Sequence, residues 1–203
     1  KAADMIVKAG GTVIPAETQE LIGAQHILAR RAVDQKTAKQ ILKVIGKMEE
    51  RMTKAFPVPV PLITPGNVQG GLTTIEEKSL GDSYKAGTSP IQGMLEYAQT
   101  PKKKGLWIMD EVGYDPESVT GMIAAGAQLV AFTTGLGTPS TFPIAPVIMI
   151  TGNPRTYEKL GDDIDINAGT IIEGKEAIDN VGKRILDEIL AVASGKATKT
   201  DAI

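Results

Sequence analysis

Four short apolar stretches, at residues 12–15, 106–109, 129–132 and 147–150, run without alternation, with glycine, proline or aspartate close by. Such stretches suit strands covered on both faces, as in a parallel sheet, because a strand with one wet face alternates. Between them the pattern turns helical. Asp34 opens a run over 35–56 in which Ile41, Leu42, Ile45, Met48 and Met52 recur at three- and four-residue spacing, the stripe of a helix with one buried face. Ile178, Val181, Ile185, Ile189 and Val192 mark a second such face in a closing helix over 177–193, stopped near Gly195. A short helix is expected over 2–8. Asp115-Pro116 and Asn153-Pro154 each read as a capping side chain followed by proline at the first helical position. Pro57, Pro59, Pro61 and Pro65 exclude helix and predict an extended connector. The alternation predicts an α/β fold, a Rossmann-like, mostly parallel sheet with helices on both faces. One domain is expected over 1–195, followed by a polar, frayed tail over 196–203.

Composition narrows the functions. The 203 residues carry 22 basic and 24 acidic side chains, a formal net charge of -2, which implies neither nucleic acid nor a membrane as partner. Cysteine is absent, which removes disulfides, thiolate-bound zinc, iron–sulfur ligation and a cysteine nucleophile from this chain. No apolar run is long enough to span a bilayer, and the opening residues lack the apolar core of a signal peptide, so cytoplasmic residence is the default expectation.

The segment from Pro65 to Gly81 holds the densest candidate chemistry. Gly66, Gly70 and Gly71 open backbone angles closed to other residues and let N–H groups approach a ligand. Thr73 and Thr74 precede Glu76 and Glu77 by three residues, the spacing of a capping box at a helix start. Lys78 emerges one turn inside that helix, near backbone amides and the positive end of a helix dipole, which favours a bound anion such as a carboxylate substrate. Lys78 is then a general base, a carboxylate anchor or a helix-surface lysine, and Glu77 a catalytic partner, a cap or a salt-bridge partner.

Other candidates sit after the apolar stretches, where ligands bind in open α/β sheets. They are Glu17, Asp110, the run Thr133-Thr134-Gly135 and the pair Gly152-Asn153, and their positions predict one shared cleft. Thr133 and Thr134 offer hydroxyls, and Gly135 an exposed amide, to an oxyanion. Prolines at 139, 143 and 146 argue against a dinucleotide fingerprint there. Asp162, Asp163, Asp165 and Asn167 offer hard oxygen ligands, yet a calcium loop started at Asp163 places Ala168 at the obligatory glycine and Gly174 at the terminal carboxylate. His26, the single histidine, serves either packing or proton transfer. Glu17 follows a buried strand without an evident structural task, as a ligand or a site acid.

Several of these segments resemble the altronate/galactarate dehydratase family, which includes the large subunit of sulfolactate sulfo-lyase. The resemblance is carried by Gly66-Asn67 with Gly70-Gly71-Leu72-Thr73 and Glu77-Lys78; by Gly11-Thr12 through Glu17 with Ile22-Gly23-Ala24; by Met109-Asp110 through Gly121; and by Phe132 through Gly137 with Asp162 through Gly169. It covers almost the whole chain. It implies the C-terminal domain of a longer lyase that removes the proton next to a carboxylate and expels a β-substituent. Water would leave from an altronate- or galactarate-type sugar acid to give a 2-keto-3-deoxy acid, or sulfite from sulfolactate. The alternative is a non-catalytic ligand-binding or oligomerisation domain. The resemblance further implies a divalent metal, iron(II), held by Glu17 or Asp163. Taken together, the catalytic candidates are Lys78, Glu77 and His26, and the candidate substrate contacts are Asn67, Gly70, Gly71, Thr133, Thr134, Gly135 and Asp110. An upstream domain or second subunit and a homo-oligomer are the implied partners. The chain departs from the family at Leu136, where an arginine is usual.

Overall fold

A computed structural model describes residues 1–55, 63–138 and 140–202. Pro57, Pro59, Pro61 and Pro139 lie outside the described residues. The chain divides into two compact units, Ala3–Ala125 and Gly126–Ile203 together with Lys1–Ala2. The fold is α/β with parallel sheets flanked by helices, as the alternation predicts, but its strands form two three-stranded sheets. No helix among the described residues is long and apolar enough to cross a membrane.

The first unit contains α1 (Ala2–Lys8, from its second residue), β1 (Thr12–Val13), a 3-10 turn (Thr18–Leu21), α2 (Gln25–Ala29), α3 (Gln35–Ala55), α4 (Pro65–Gln69), α5 (Ile75–Lys85), β2 (Ile91–Leu95), β3 (Gly105–Met109) and α6 (Asp115–Ala124). Its sheet order is β1-β3-β2, all parallel. All five residues of the central strand β3 are buried, as its unbroken apolar run requires. Leu106 and Ile108 face Leu28, Ile41, Ile45 and Met48 of α2 and α3. Trp107 and Met109 face Leu95, Ala125 and Met122 on the opposite side. Each aliphatic chain fully buried in this way contributes about 1.5–3 kcal/mol. The strand β2 escapes sequence pattern reading because Gln92 and Gly93 interrupt it. Gly93 is required there, since a Cβ would lie 2.7 Å from the Trp107 ring.

Two expectations for this unit change. Leu42 is exposed, so the buried face of α3 is Thr37, Ile41, Ile45 and Met48. Pro65 opens α4 instead of extending a connector. Thr64 caps that helix reciprocally with Asn67, and proline costs nothing in a first turn whose N–H has no intrahelical partner. The Asp34 cap on α3 is present, its carboxylate accepting Thr37 N–H at 2.7 Å. At α6 the capping position belongs to Tyr114, without a side-chain bond.

The second unit contains β4 (Val130–Thr134), β5 (Val147–Thr151), α7 (Pro154–Leu160), β6 (Ile166–Asn167), α8 (Ile178–Ala193) and a closing 3-10 turn (Thr200–Ala202). Its sheet order is β4-β5-β6, again parallel. Ile148 and Ile150 pack with Ile166, Ile185, Ile189 and Val192. Ile178, expected on the buried face of α8, is exposed. Residues 196–202 of the tail are not frayed. Thr198 and Thr200 are buried, the backbone N–H of Lys199 donates to Asp165 at 2.9 Å, and its ammonium bonds the carbonyls of Gly161 and Ile164. Asp165 also accepts Met149 N–H from β5 at 2.7 Å. One carboxylate therefore ties the tail to the sheet.

Candidate active site

Glu17 follows β1, and Glu111 follows the neighbouring strand β3, so both lie at the carboxyl edge of the first sheet. The turn carrying Glu17 is stitched to that edge. The Thr18 hydroxyl, fully buried, donates to the Met109 carbonyl at 3.1 Å and accepts Glu111 N–H at 3.1 Å. Glu111, itself buried, accepts Glu17 N–H on one carboxyl oxygen. Its other oxygen takes Gly113 N–H at 2.8 Å and the Ser118 hydroxyl at 2.7 Å. These bonds hold Glu17 in the left-handed region, φ 68° and ψ 59°, a conformation that costs a residue with a Cβ about 1 kcal/mol or more.

The helix α5 lies against the same turn. Gly23, at φ +87°, allows this approach, since a Cβ there would meet the Glu76 side chain at 2.5 Å. Thr74 caps α5 by accepting Glu77 N–H at 3.2 Å. Lys78 then reaches inward, its ammonium donating to Glu20 and, at 3.2 Å, to the Asn67 side-chain oxygen. One turn on, Asp82 pairs with Lys85 and stands near enough to Glu20 to feel its charge. The N–H of Glu20 donates to the Glu17 carbonyl at 2.8 Å, which sets their side chains one 3-10 turn apart on the same side. Asp82 Oδ2 is buried without a protein partner, as are the hydroxyls of Ser79 and Ser83. Four carboxyl groups thus share this corner with two ammonium groups.

Burial raises Glu17, Glu20 and Glu111 above the ordinary carboxylate value, with Glu17 adding to the effect at Glu20. Burial pushes Asp82 up to about 6, against the pull of Lys85. The cause is common to all four, since a low-dielectric surrounding disfavours the charged form. Carboxyl groups gathered this closely also disfavour one another's ionised form.

The sequence-derived candidates separate into distinct groups. Lys78, Asn67 and Glu17 come together in this corner. Glu77 lies outside it, exposed, with its carboxylate bonded by the Thr73 N–H and hydroxyl at 2.9 Å each. The same bonds lower its pKa, and its position is that of a helix-start cap. His26 is exposed on α2, without the packing its helical position suggests. The N–H groups of Gly70 and Gly71, expected to face a ligand, bond the carbonyls of Gly66 and Val68 at 3.0 Å each. Asp110 is half-buried after β3 and donates its N–H to the Leu95 carbonyl at 2.8 Å.

The remaining candidates belong to the second unit. Thr133 is exposed at the end of β4, and the Thr134 hydroxyl accepts the N–H groups of Gly137 and Thr138 at 3.0 and 3.1 Å. The Gly135 carbonyl accepts the hydroxyl of Thr156 at 2.7 Å. Leu136 is 65% exposed. Asn153 caps α7 by accepting Arg155 N–H at 3.1 Å. Asp163 lines a small recess with Gly137, Thr138, Met149, Leu160 and Ile164. Glu17 and Asp163, the proposed metal ligands, therefore lie in different units. Among the described residues no three His, Cys, Asp or Glu side chains are placed to hold a metal ion. Apart from Asp82 Oδ2, the carboxylate oxygens beside Glu17 that carry partners are engaged by lysines, backbone N–H groups and the Ser118 hydroxyl. This donor set does not fit a resident divalent ion, and no step below is routed through one.

Sequence alone does not single out Glu20, Asp82, Lys85 or Glu111. A signal for three of them was present. Glu17 and Glu20 are three apart, and Lys78, Asp82 and Lys85 fall at spacings of four and three, on one helical face. Glu111 carried no signal beyond its adjacency to Asp110, because its role depends on which neighbour of the strand end turns inward.

A family model described as D-galactarate/Altronate dehydratase, C-terminal, matches residues 1–203. The chain is 34% identical to altronate dehydratase of Bacillus subtilis (strain 168) over 96% of its own length and 39% of that relative. It is 36% identical to galactarate dehydratase (L-threo-forming) of Escherichia coli (strain K12), over 96% of the chain and 37% of the relative. It is 32% identical to (2R)-sulfolactate sulfo-lyase subunit beta of Chromohalobacter salexigens, over 100% of the chain and 53% of the relative. The chain thus spans between about a third and about half of the length of these curated relatives. With a match along its whole length, this chain belongs to the D-galactarate/altronate dehydratase C-terminal family.

Proposed function

We propose that this chain forms part of a lyase that acts on a 2-hydroxy acid and supplies its proton-transfer groups. The observation that carries the reading is the Lys78 ammonium set between Glu20 and Asn67, with the strained Glu17 next in line. Altronate, galactarate and sulfolactate, the acids in the relatives' names, share a carboxylate, a neighbouring hydroxyl-bearing carbon and a leaving group on the carbon beyond it. Removing the proton next to a carboxylate creates a dianion, which is costly unless fixed positive charge meets it.

Lys78 meets the charge that develops on the substrate and is the acid for the departing hydroxyl, and Asn67 orients it. Glu17 is the base in this reading, since its carboxyl is raised by burial toward the pH at which it must work. Sugar-acid dehydration is preferred to sulfite release, because two of the three relatives named above are sugar-acid dehydratases. An upstream domain or a second subunit belongs to the reading, supported by the partial coverage and by the word subunit in one relative's name.

The test is release of keto acid and of sulfite by the natural full-length polypeptide, offered a panel of aldonates, aldarates and sulfolactate, with Lys78→Ala alongside. Turnover by the wild type and a loss of at least about a hundredfold in the variant, at unchanged secondary structure, is expected. Equal loss of turnover and folding would remove Lys78 from the chemistry. The exposed Leu136, in place of the family arginine, favours a second reading in which the domain binds acids without turning them over. Binding with no product from any acid would select it.

A further inference from the structure

The lyase reading leaves a chemical problem. Elimination of water needs a base to take the proton next to the carboxylate and an acid to protonate the departing hydroxyl. A base and an acid that are separate groups must be returned to their starting states after every turnover. Glu20 touches both candidates. On one side its carboxyl accepts from the Lys78 ammonium, and on the other it stands one 3-10 turn from Glu17, whose carbonyl accepts its N–H at 2.8 Å. Its side chain is 14% exposed and that of Lys78 19%, so water has little access to the contact between them.

We propose that Glu20 is the proton relay that reconnects Glu17 with Lys78 after each elimination, a role that rests on the lyase reading above. In this relay the resting state has Glu17 ionised, Glu20 carrying a proton and Lys78 as an ammonium. Glu17 takes the proton from the carbon next to the carboxylate, and that C–H electron pair becomes the new carbon–carbon double bond. The bond to the β-hydroxyl breaks with its electron pair on oxygen, which receives a proton from Lys78 and leaves as water. Glu20 then gives its proton to the neutral Lys78 amine and receives the one held by Glu17. Charges and protons return to the resting state with one water formed.

The surroundings of Glu20 favour this task. Asp82 is its third neighbour, with one oxygen lacking a protein partner, and Lys85 neutralises the far side of Asp82. Glu111 stands apart from the exchange because its two oxygens are filled by Glu17 N–H, Gly113 N–H and the Ser118 hydroxyl. Asn67 holds Lys78 from the opposite side and cannot exchange a proton near neutrality. Burial raises Glu17 and Glu20 and pushes Asp82 up to about 6, a direction that favours keeping a proton within the group. Glu20 acts through its neighbours, as a positioning and relay residue.

The experiment compares the wild type with Glu20→Gln in the natural full-length polypeptide, following product from the first turnover onward. The amide keeps the size and the hydrogen bonds of Glu20 but cannot pass a proton. The expected result is a first turnover close to wild type, a steady state slower by about a hundredfold, and recovery of the steady state on adding small buffer acids and bases. First turnover and steady state reduced together, without a buffer response, would assign Glu20 a structural role and overturn the relay while leaving the lyase reading intact. Absence of product from the wild type with every acid would instead overturn the lyase reading, and the relay with it. Should Glu20→Gln fail to fold, Glu20→Asp keeps a carboxyl, and a pH–rate profile displaced from wild type is expected. An unmoved profile would overturn the proposal.

Discussion

Glu17 shows how much a single backbone conformation can carry. The residue sits in the left-handed region without being glycine, and three buried groups hold it there: Thr18, Glu111 and, through Glu111, Ser118. Strain of this kind persists only where the surroundings over-determine it. The comparison that isolates it is Glu17→Gly against Glu17→Ala, which delete the same carboxyl. The glycine variant is expected to be more stable by about 1 kcal/mol in denaturant melts, since only the alanine keeps the Cβ penalty. Equal midpoints would show that the turn relaxes. Both variants should lose turnover under the lyase reading. At this scale the sequence was partly legible. A carboxylate after a buried strand was enough to mark Glu17, and the motif was enough to mark Asn67 and Lys78. Nothing in a linear pattern indicates that the neighbour of Asp110 turns inward, or that a threonine hydroxyl bridges two strand ends.

Secondary-structure elements followed the apolar pattern wherever that pattern was continuous. Strands β1, β3, β4 and β5 and helices α3 and α8 were marked by their own residues. β2 was not, because a glycine under Trp107 breaks its run, and β6 was not, because two residues within an acidic stretch give no period. The tail misled for a related reason. Its polar composition suggests solvent, yet its threonines and lysine are satisfied by carbonyls and by Asp165, and hydrogen-bonded polar groups can be buried at small net cost. Asp165→Ala removes the acceptor for two backbone N–H groups, Met149 and Lys199. A loss of about 2 kcal/mol is expected, read as a lower denaturant midpoint at unchanged slope. Hydrogen exchange should quicken at Lys199 before it does within β5.

For the molecule as a whole, acidity separates two sets of carboxyl groups. Glu17, Glu20, Asp82 and Glu111 are raised on folding, so the folded state binds protons more tightly than the unfolded one. Stability from this set is complete below the ordinary carboxylate range and falls as pH rises through about 6, the value at Asp82. Asp4, Asp34 and Glu77 are lowered and act oppositely. Burial opposes the shift at Asp4, where bonds from Ser89 and Thr88 outweigh it. Their stabilisation is present above the ordinary range and lost as pH falls below it. Because Asp34 and Glu77 are exposed, the raised set should dominate, and thermal midpoints should be highest in mild acid. Asp82→Asn should flatten the decline between about pH 4 and 6, by on the order of 3 kcal/mol at most. An unchanged pH slope would show that Asp82 ionises freely. All four raised groups belong to the unit Ala3–Ala125, and so does the single tryptophan of the chain. Trp107 is buried in the central strand with its indole N–H on the Lys103 carbonyl at 2.9 Å. It is a built-in optical probe in that unit, and the sheet of β4, β5 and β6 has no tryptophan of its own. Emission recorded against far-ultraviolet ellipticity during one melt will therefore tell whether the chain comes apart in one cooperative event or in two.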